Sequence, residues 1–180
     1  IGCKTVKIPS CYATWTRLLS ESMKRFSRVI VSTGMTSTDE LYDLAAWANA
    51  ASTSVDVVVM LCTSNYPCHV EDVHLALLDH YRQLFVPEVE IGLSGHYTGR
   101  CIDYGAYGAG CRYLERHVTM DCDWKGSDHA ASMELSEIMS HMRALEKIHR
   151  SFGDPSFEKQ VLPCEKEARK KLRDKQGDDK

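Results

Sequence analysis

The run Val55-Asp56-Val57-Val58-Val59-Met60-Leu61 is apolar on both faces once extended. Strands buried on both faces belong to parallel sheets covered by helices, and the rest of the chain repeats the alternation that such a sheet needs. Strands are expected at Lys4 to Ile8, Arg28 to Ser32, Val55 to Leu61, Glu88 to Leu93 and Arg112 to Leu114. Helices are expected at Thr14 to Phe26, Thr38 to Ala51, Glu71 to Phe85, Cys101 to Ala109 and Glu134 to Phe152. The second helix opens on Ser37-Thr38-Asp39-Glu40, a capping box, and carries Leu41, Leu44, Ala45 and Ala48 on one apolar stripe. Successive βα units imply right-handed crossovers, and hence either a doubly wound sheet or part of a (β/α)8 barrel. No glycine-rich dinucleotide fingerprint follows any strand, which favours the barrel. A whole barrel takes about 250 residues. This chain has 180, so the expected fold is α/β, a partial (β/α)8 TIM barrel of about five βα units.

Composition narrows the partners. Lys and Arg number 22 against 25 Asp and Glu, for a formal net charge of −3, which leaves no broad basic surface for nucleic acid. No apolar run approaches the roughly 18 residues needed to span a bilayer, and the N-terminus lacks the layout of a signal peptide. A soluble, cytoplasmic chain is expected, with no nucleic acid and no membrane among its partners. It opens on Ile1, with Thr5-Val6-Lys7-Ile8 already strand-like, which reads as a fragment or a processed chain. The eight cysteines show no CxxC pair and read as buried reduced thiols. After Pro155 the composition shifts, and Glu165 to Lys175 is a mixed-charge run that reads as a solvated helix or linker.

Chemistry in such folds sits at the C-terminal ends of the strands. There the chain places Lys7 and Ser10, then Ser32 with Thr33 and Gly34, then Thr63 and Ser64, then Ser94 and His96, then Glu115 and His117. Any one serine reads equally well as a turn or cap residue; the set in register, with one lysine, suits a small phosphorylated substrate. His96 and His117 end adjacent strands and are candidates for two ligands of a divalent ion, with structural histidines as the plainer reading. Glu115 falls on the same side of its strand as His117, where it could orient a ligand, move a proton or pair with a barrel lysine. His74, His80, His141 and His149 fall on expected helix surfaces. Trp124-Lys125-Gly126-Ser127-Asp128-His129 forms a polar loop beyond the last strand.

Six blocks carry a resemblance: Lys7-Ile8-Pro9-Ser10, Ser32-Thr33-Gly34-Met35, Cys62-Thr63-Ser64-Asn65-Tyr66-Pro67, Gly92-Leu93-Ser94-Gly95-His96, Glu115-Arg116-His117-Val118-Thr119-Met120-Asp121 and Lys125-Gly126-Ser127-Asp128-His129-Ala130-Ala131-Ser132. In order and spacing the chain resembles the sialic acid synthase (N-acetylneuraminate synthase) family, from Lys4 to about Arg173. The resemblance implies the C-terminal five units of the family's barrel over residues 1–155. Over 156–180 it implies a charged extension leading toward an antifreeze-like domain. It implies a transferase that condenses phosphoenolpyruvate with an N-acetylated amino sugar, N-acetylmannosamine or a relative, giving a sialic-type nonulosonic acid and phosphate. The implied cofactor is a divalent metal of Mn, Mg or Co type, and the implied full-length parent is a homodimer.

Residue by residue, His96 and His117 match the metal ligands and Glu115 the catalytic acidic residue beside them. Lys7, Ser10, Ser32, Ser64 and Ser94 match the phosphoenolpyruvate-binding positions, and Tyr66 and Asp128 the amino-sugar contacts. The family's early strands, with a further acidic residue and lysine, have no counterpart here, so the piece alone is expected not to turn over. A non-catalytic half-barrel needing a partner chain, and another aldolase or lyase on the same barrel, are the alternative readings.

Overall fold

The computed structural model describes residues 2–173. Ile1 and the last seven positions of the expected 156–180 extension lie outside the described residues. The chain divides into two compact units at Glu146/Lys147.

The first unit is built on a five-stranded sheet in the order β1 (Thr5–Ile8), β2 (Arg28–Ser32), β3 (Asp56–Cys62), β4 (Val89–Gly95) and β5 (Tyr113–Arg116). All four pairings are parallel. The sheet is a curled half-barrel, as the alternation predicts. Helices α1 (Thr16–Arg25), α2 (Thr38–Ala51), α3 (Leu77–Leu84) and α4 (Cys101–Gly108) fill the connections.

Register sorts the side chains onto two faces. Lys7 lies opposite Ile30, Ile30 opposite Val58, and Val58 opposite Glu90; one step on, Ser32 faces Met60 and Met60 faces Gly92, and beyond them Cys62 faces Ser94 and Ser94 faces Glu115. These residues share the concave face. The opposite face carries Ile8, Val29, Val31, Val57, Val59, Leu61 and Leu93, which pack with Leu19, Leu44, Ala48, Leu78 and Phe85 of the helix layer. β3 is buried on both faces from Val57 to Cys62, so its apolar run meets the helices on one side and the half-barrel interior on the other. Each such valine contributes about 1.5–3 kcal/mol by leaving water.

The capping box forms as expected: the Glu40 N–H donates to Ser37 Oγ at 3.3 Å and the Ser37 N–H to Glu40 Oε2 at 2.7 Å. The expected helix over Glu71 to Phe85 is shorter, beginning at Leu77. A single 3₁₀ turn spans Val70–Asp72, and His74 takes a left-handed φ of 50°, off any helix surface. Two tethers explain the delay: Thr63 Oγ1 donates to the Asp72 carbonyl at 2.8 Å, and the Cys68 N–H to the His96 carbonyl at 2.8 Å, holding the segment over the strand ends. Two short strands that periodicity does not reveal, β6 (Val118–Thr119) and β7 (Met133–Glu134), pair in parallel and close the loop between them. A long helix, α5 (Leu135–Phe152), follows. In the second unit a 3₁₀ turn at Pro163–Glu165 leads into α6 (Lys166–Arg173), whose lysines and arginines are exposed. Among the described residues no helix is long and apolar enough to cross a membrane.

His141 departs from its expected place on a helix surface. Its side chain is 5% exposed, with Nε2 3.4 Å from Asp103 Oδ2 and the ring beside Tyr104. Burial holds its imidazole below the ordinary value and the Arg116 and Arg100 charges add to that, while Asp103 opposes them. Arg116 already pairs with Asp103 at 2.8 Å, so burial wins. A histidine whose folded value is depressed adds stability above its unfolded titration near pH 6.5, and loses it as the pH falls through the folded value. The melting temperature is therefore expected to fall on acidification from pH 7.5 to 5. In His141→Gln that decline is expected to flatten; an identical pH profile in the variant would show that other groups carry it.

Candidate functional site

Each strand end contributes to one cavity of about 270 Å³ on the concave side. β1 brings Lys7 and the turn after it Ser10; β2 brings Ser32; the segment after β3 brings Ser64 and Tyr66; β4 brings Ser94 and, just past its end, His96; β5 brings Glu115, with His117 following. Every residue given a site role by the resemblance lines this cavity except Asp128, while the strand-end residues Thr33, Gly34 and Thr63 do not line it. Asp128 stands on the β6–β7 loop with its Oδ2 3.6 Å from His117 Nδ1.

The contacts are specific. Ser94 Oγ donates to Glu115 Oε1 at 2.8 Å, and Lys7 Nζ sits 3.2 Å from the same oxygen. Glu115 thus forms the lysine pair that was one of its sequence readings, and does so inside the cavity. Ser10 Oγ accepts from the Gly34 N–H at 2.9 Å and donates to Cys62 Sγ at 3.4 Å. A Cβ on Gly34 would stand 2.2 Å from Ser64 Oγ and 2.8 Å from Ser10 Oγ, so only glycine lets these hydroxyls converge. Ser32 Oγ is buried without a hydrogen-bond partner, a group that a ligand oxygen would satisfy.

The two histidines lie edge to face with ring centroids 5.1 Å apart, and the Tyr66 ring packs 4.1 Å from His96 and 5.5 Å from His117. His96 Nδ1 is 2.8 Å from the Thr63 carbonyl, which can only accept, so Nδ1 carries a proton, and in the neutral ring Nε2 keeps its lone pair. Burial alone would lower the titration of His96. Hydrogen bonds to Cys62 and the Thr63 carbonyl, with the Cys62 and Glu115 charges, outweigh burial and raise it. For Cys62 the same contest runs the other way: burial pushes the thiol up, and hydrogen bonds from His96 and Ser10 bring it below its ordinary value. Among the described residues no group of three or more His, Cys, Asp or Glu is arranged to hold a metal ion. The histidine pair therefore offers two ligands, and substrate or water oxygens would have to supply the others.

Cys62 is a cavity residue that the sequence reading passed over. The signal was present, since alternation along β3 puts Met60 and Cys62 on the face of Ser94. A second concavity, about 540 Å³ between the starts of α2 and α3, has Asp72 in its wall and no lysine or arginine, so the anion-suited chemistry belongs to the smaller one.

The profile of the NeuB family matches residues 1–156. The chain belongs to the NeuB family. Its relatives include the human N-acetylneuraminate-9-phosphate synthase, 38% identical over 157 residues that cover 86% of this chain and 42% of the relative. The N,N'-diacetyllegionaminic acid synthase of Campylobacter jejuni is 28% identical over 86% of this chain and 46% of its own length. Among solved structures, the N-acetylneuraminic acid synthetase of Leptospira borgpetersenii, in complex with citrate, superposes with a TM-score of 0.79 at 27% identity, covering 96% of this chain and 59% of that one. A DAHP synthase from Thermotoga maritima shares the fold alone, with a TM-score of 0.67 at 16% identity. The chain spans less than half the length of these curated NeuB relatives. These relatives are sialic acid and related nonulosonic acid synthases.

Proposed function

We propose that this chain forms the phosphoenolpyruvate and amino-sugar side of a nonulosonic acid synthase, acting in the cytoplasm within a homodimeric parent. The observation that carries the reading is the convergence of Lys7, Ser10, Ser32 and Ser94 on one cavity with the histidine pair at its wall. Lys7 and Ser94 already meet on an anionic oxygen of Glu115, the arrangement a phosphate or carboxylate oxygen would take up. Ser10, Ser32 and Ser64 add hydroxyl donors around it. Tyr66, packed against His96 and His117, and Asp128, beside His117, would orient an N-acetylated hexosamine in its open-chain form.

A divalent ion of Mn, Mg or Co type on Nε2 of His96 and on His117, when bound, would polarise the sugar aldehyde. The protein's own groups would then align the two substrates. The phosphoenolpyruvate methylene carbon bonds to the aldehyde carbon, whose oxygen takes up a proton. The cationic carbon left beside the phosphate ester takes up water, and Glu115 accepts the proton that this water releases. Loss of phosphate restores the keto group of the nine-carbon acid.

Titration calorimetry tests the reading. Phosphoenolpyruvate is expected to bind this chain, and Lys7→Ala to weaken it about 10- to 100-fold, the ~1.5–3 kcal/mol of a hydrogen bond to a charged group. Asp128→Ala is expected to weaken N-acetylmannosamine more than phosphoenolpyruvate. Unchanged phosphoenolpyruvate binding in Lys7→Ala would overturn the assignment.

A further inference from the structure

Alternation along β5 puts Glu115 and His117 on the site face and Arg116 on the opposite one. There the guanidinium is 5% exposed and reaches three segments at once. Its Nη2 donates to the Tyr97 carbonyl at 2.6 Å and to the Ala131 carbonyl at 3.4 Å; its Nη1 donates to the Gly99 carbonyl and to Asp103 Oδ2, both at 2.8 Å. Tyr97 directly follows His96, and Ala131 lies three residues past Asp128. The guanidinium also stacks 4.4 Å over the Tyr97 ring, whose hydroxyl donates to Asp103. A Cβ on Gly95 would come within 2.8 Å of that ring, so the seat is shaped around it.

We propose that Arg116 is the positioning residue of the site, a clamp behind the sheet that holds the His96, His117 and Asp128 segments in one register. The inference rests on the reading of those residues as the metal and sugar contacts. An ion pair alone would need only Asp103. The carbonyl contacts are the additional feature, and two of them fall one and three residues from site residues. A planar fork of donors can serve them together, whereas the ammonium of lysine, a point charge on a flexible stem, cannot.

The test compares this chain with Arg116→Lys and with Val59→Ala, a core variant that lowers stability away from the clamp. In metal-free hydrogen exchange, Arg116→Lys is expected to speed the amides of 96–100 and 119–132 at least tenfold relative to the rest of the sheet, while Val59→Ala leaves that ratio at its original value. Equal ratios in the two variants would overturn the clamp. If Arg116→Lys does not fold, Asp103→Asn decides: it keeps the arginine and its carbonyl bonds, and selective loosening of the two segments by this variant would assign the effect to the ion pair. Mn²⁺ titration in the presence of phosphoenolpyruvate is expected to show affinity reduced about 10- to 100-fold in Arg116→Lys and unchanged in Val59→Ala. Failure of the original chain to bind Mn²⁺ would remove the metal reading, and the exchange ratio would still decide the clamp.

Discussion

Asp103→Ala is expected to lower the unfolding free energy by about 3–5 kcal/mol, the cost of removing one partner from a buried charge pair. Asp103 is 0% exposed and Arg116 pairs with it at 2.8 Å. Without the carboxylate, a guanidinium is left desolvated with only carbonyl dipoles and the Tyr97 ring to face, and the Tyr97 hydroxyl loses its acceptor. The Arg116 Nε and His141 Nδ1 are already without partners, so little slack exists to absorb a further loss. Urea denaturation of the variant measures it. Replacing both partners, as in Asp103→Leu with Arg116→Met, is expected to recover most of the loss, because no uncompensated charge remains. A single-variant loss below about 1 kcal/mol would mean that water reaches the pair and screens it as on a surface.

His117→Ala is expected to reduce Mn²⁺ affinity by about 100-fold or more, since even outer-shell changes cost 10–100-fold. In the proposed site the histidine pair would supply two ligands, and no group of three or more His, Cys, Asp or Glu is arranged to hold a metal among the described residues, so losing one would halve the protein's share. His96→Ala is expected to match it, and the double variant to add little to either, as two ligands of one ion behave as a unit. Electron paramagnetic resonance of free Mn²⁺, recorded with phosphoenolpyruvate present, gives the affinities. Additive losses, or retained binding in both single variants, would place the ion elsewhere. His117 is partly exposed, so circular dichroism of His117→Ala is expected to stay unchanged, whereas His96 is buried and bonded to the Thr63 carbonyl, so its variant is compared at matched folded fraction.

What could be read ahead of the structure followed from periodicity. β3 and α2 were legible because a doubly apolar run and a capping box are local signals that tertiary packing then reinforces. The strand-end positions of Lys7, Ser32, Ser94 and His96 were legible because a strand puts every second residue on one face. The start of α3 was not, because the segment before it is held by the Thr63 hydroxyl at Asp72 and by the His96 carbonyl, from the next strand's end, at Cys68. His141 misled for the same reason: a polar residue on an amphipathic helix reads as solvated until a carboxylate from another helix, Asp103, is found beside it. Arg116 escaped notice between Glu115 and His117, which both line the cavity, since a charged residue on the helix side of a sheet gives no periodic signature.

The cavity's one lysine or arginine among the described residues, Lys7, is borne by β1, a strand hydrogen-bonded to β2 alone. Affinity for an anion and the attachment of that border strand are consequently one linked equilibrium. An anion that bound through Lys7 would also hold β1 against the sheet, and by the same linkage anything that steadied β1 would raise affinity for that anion by the same factor.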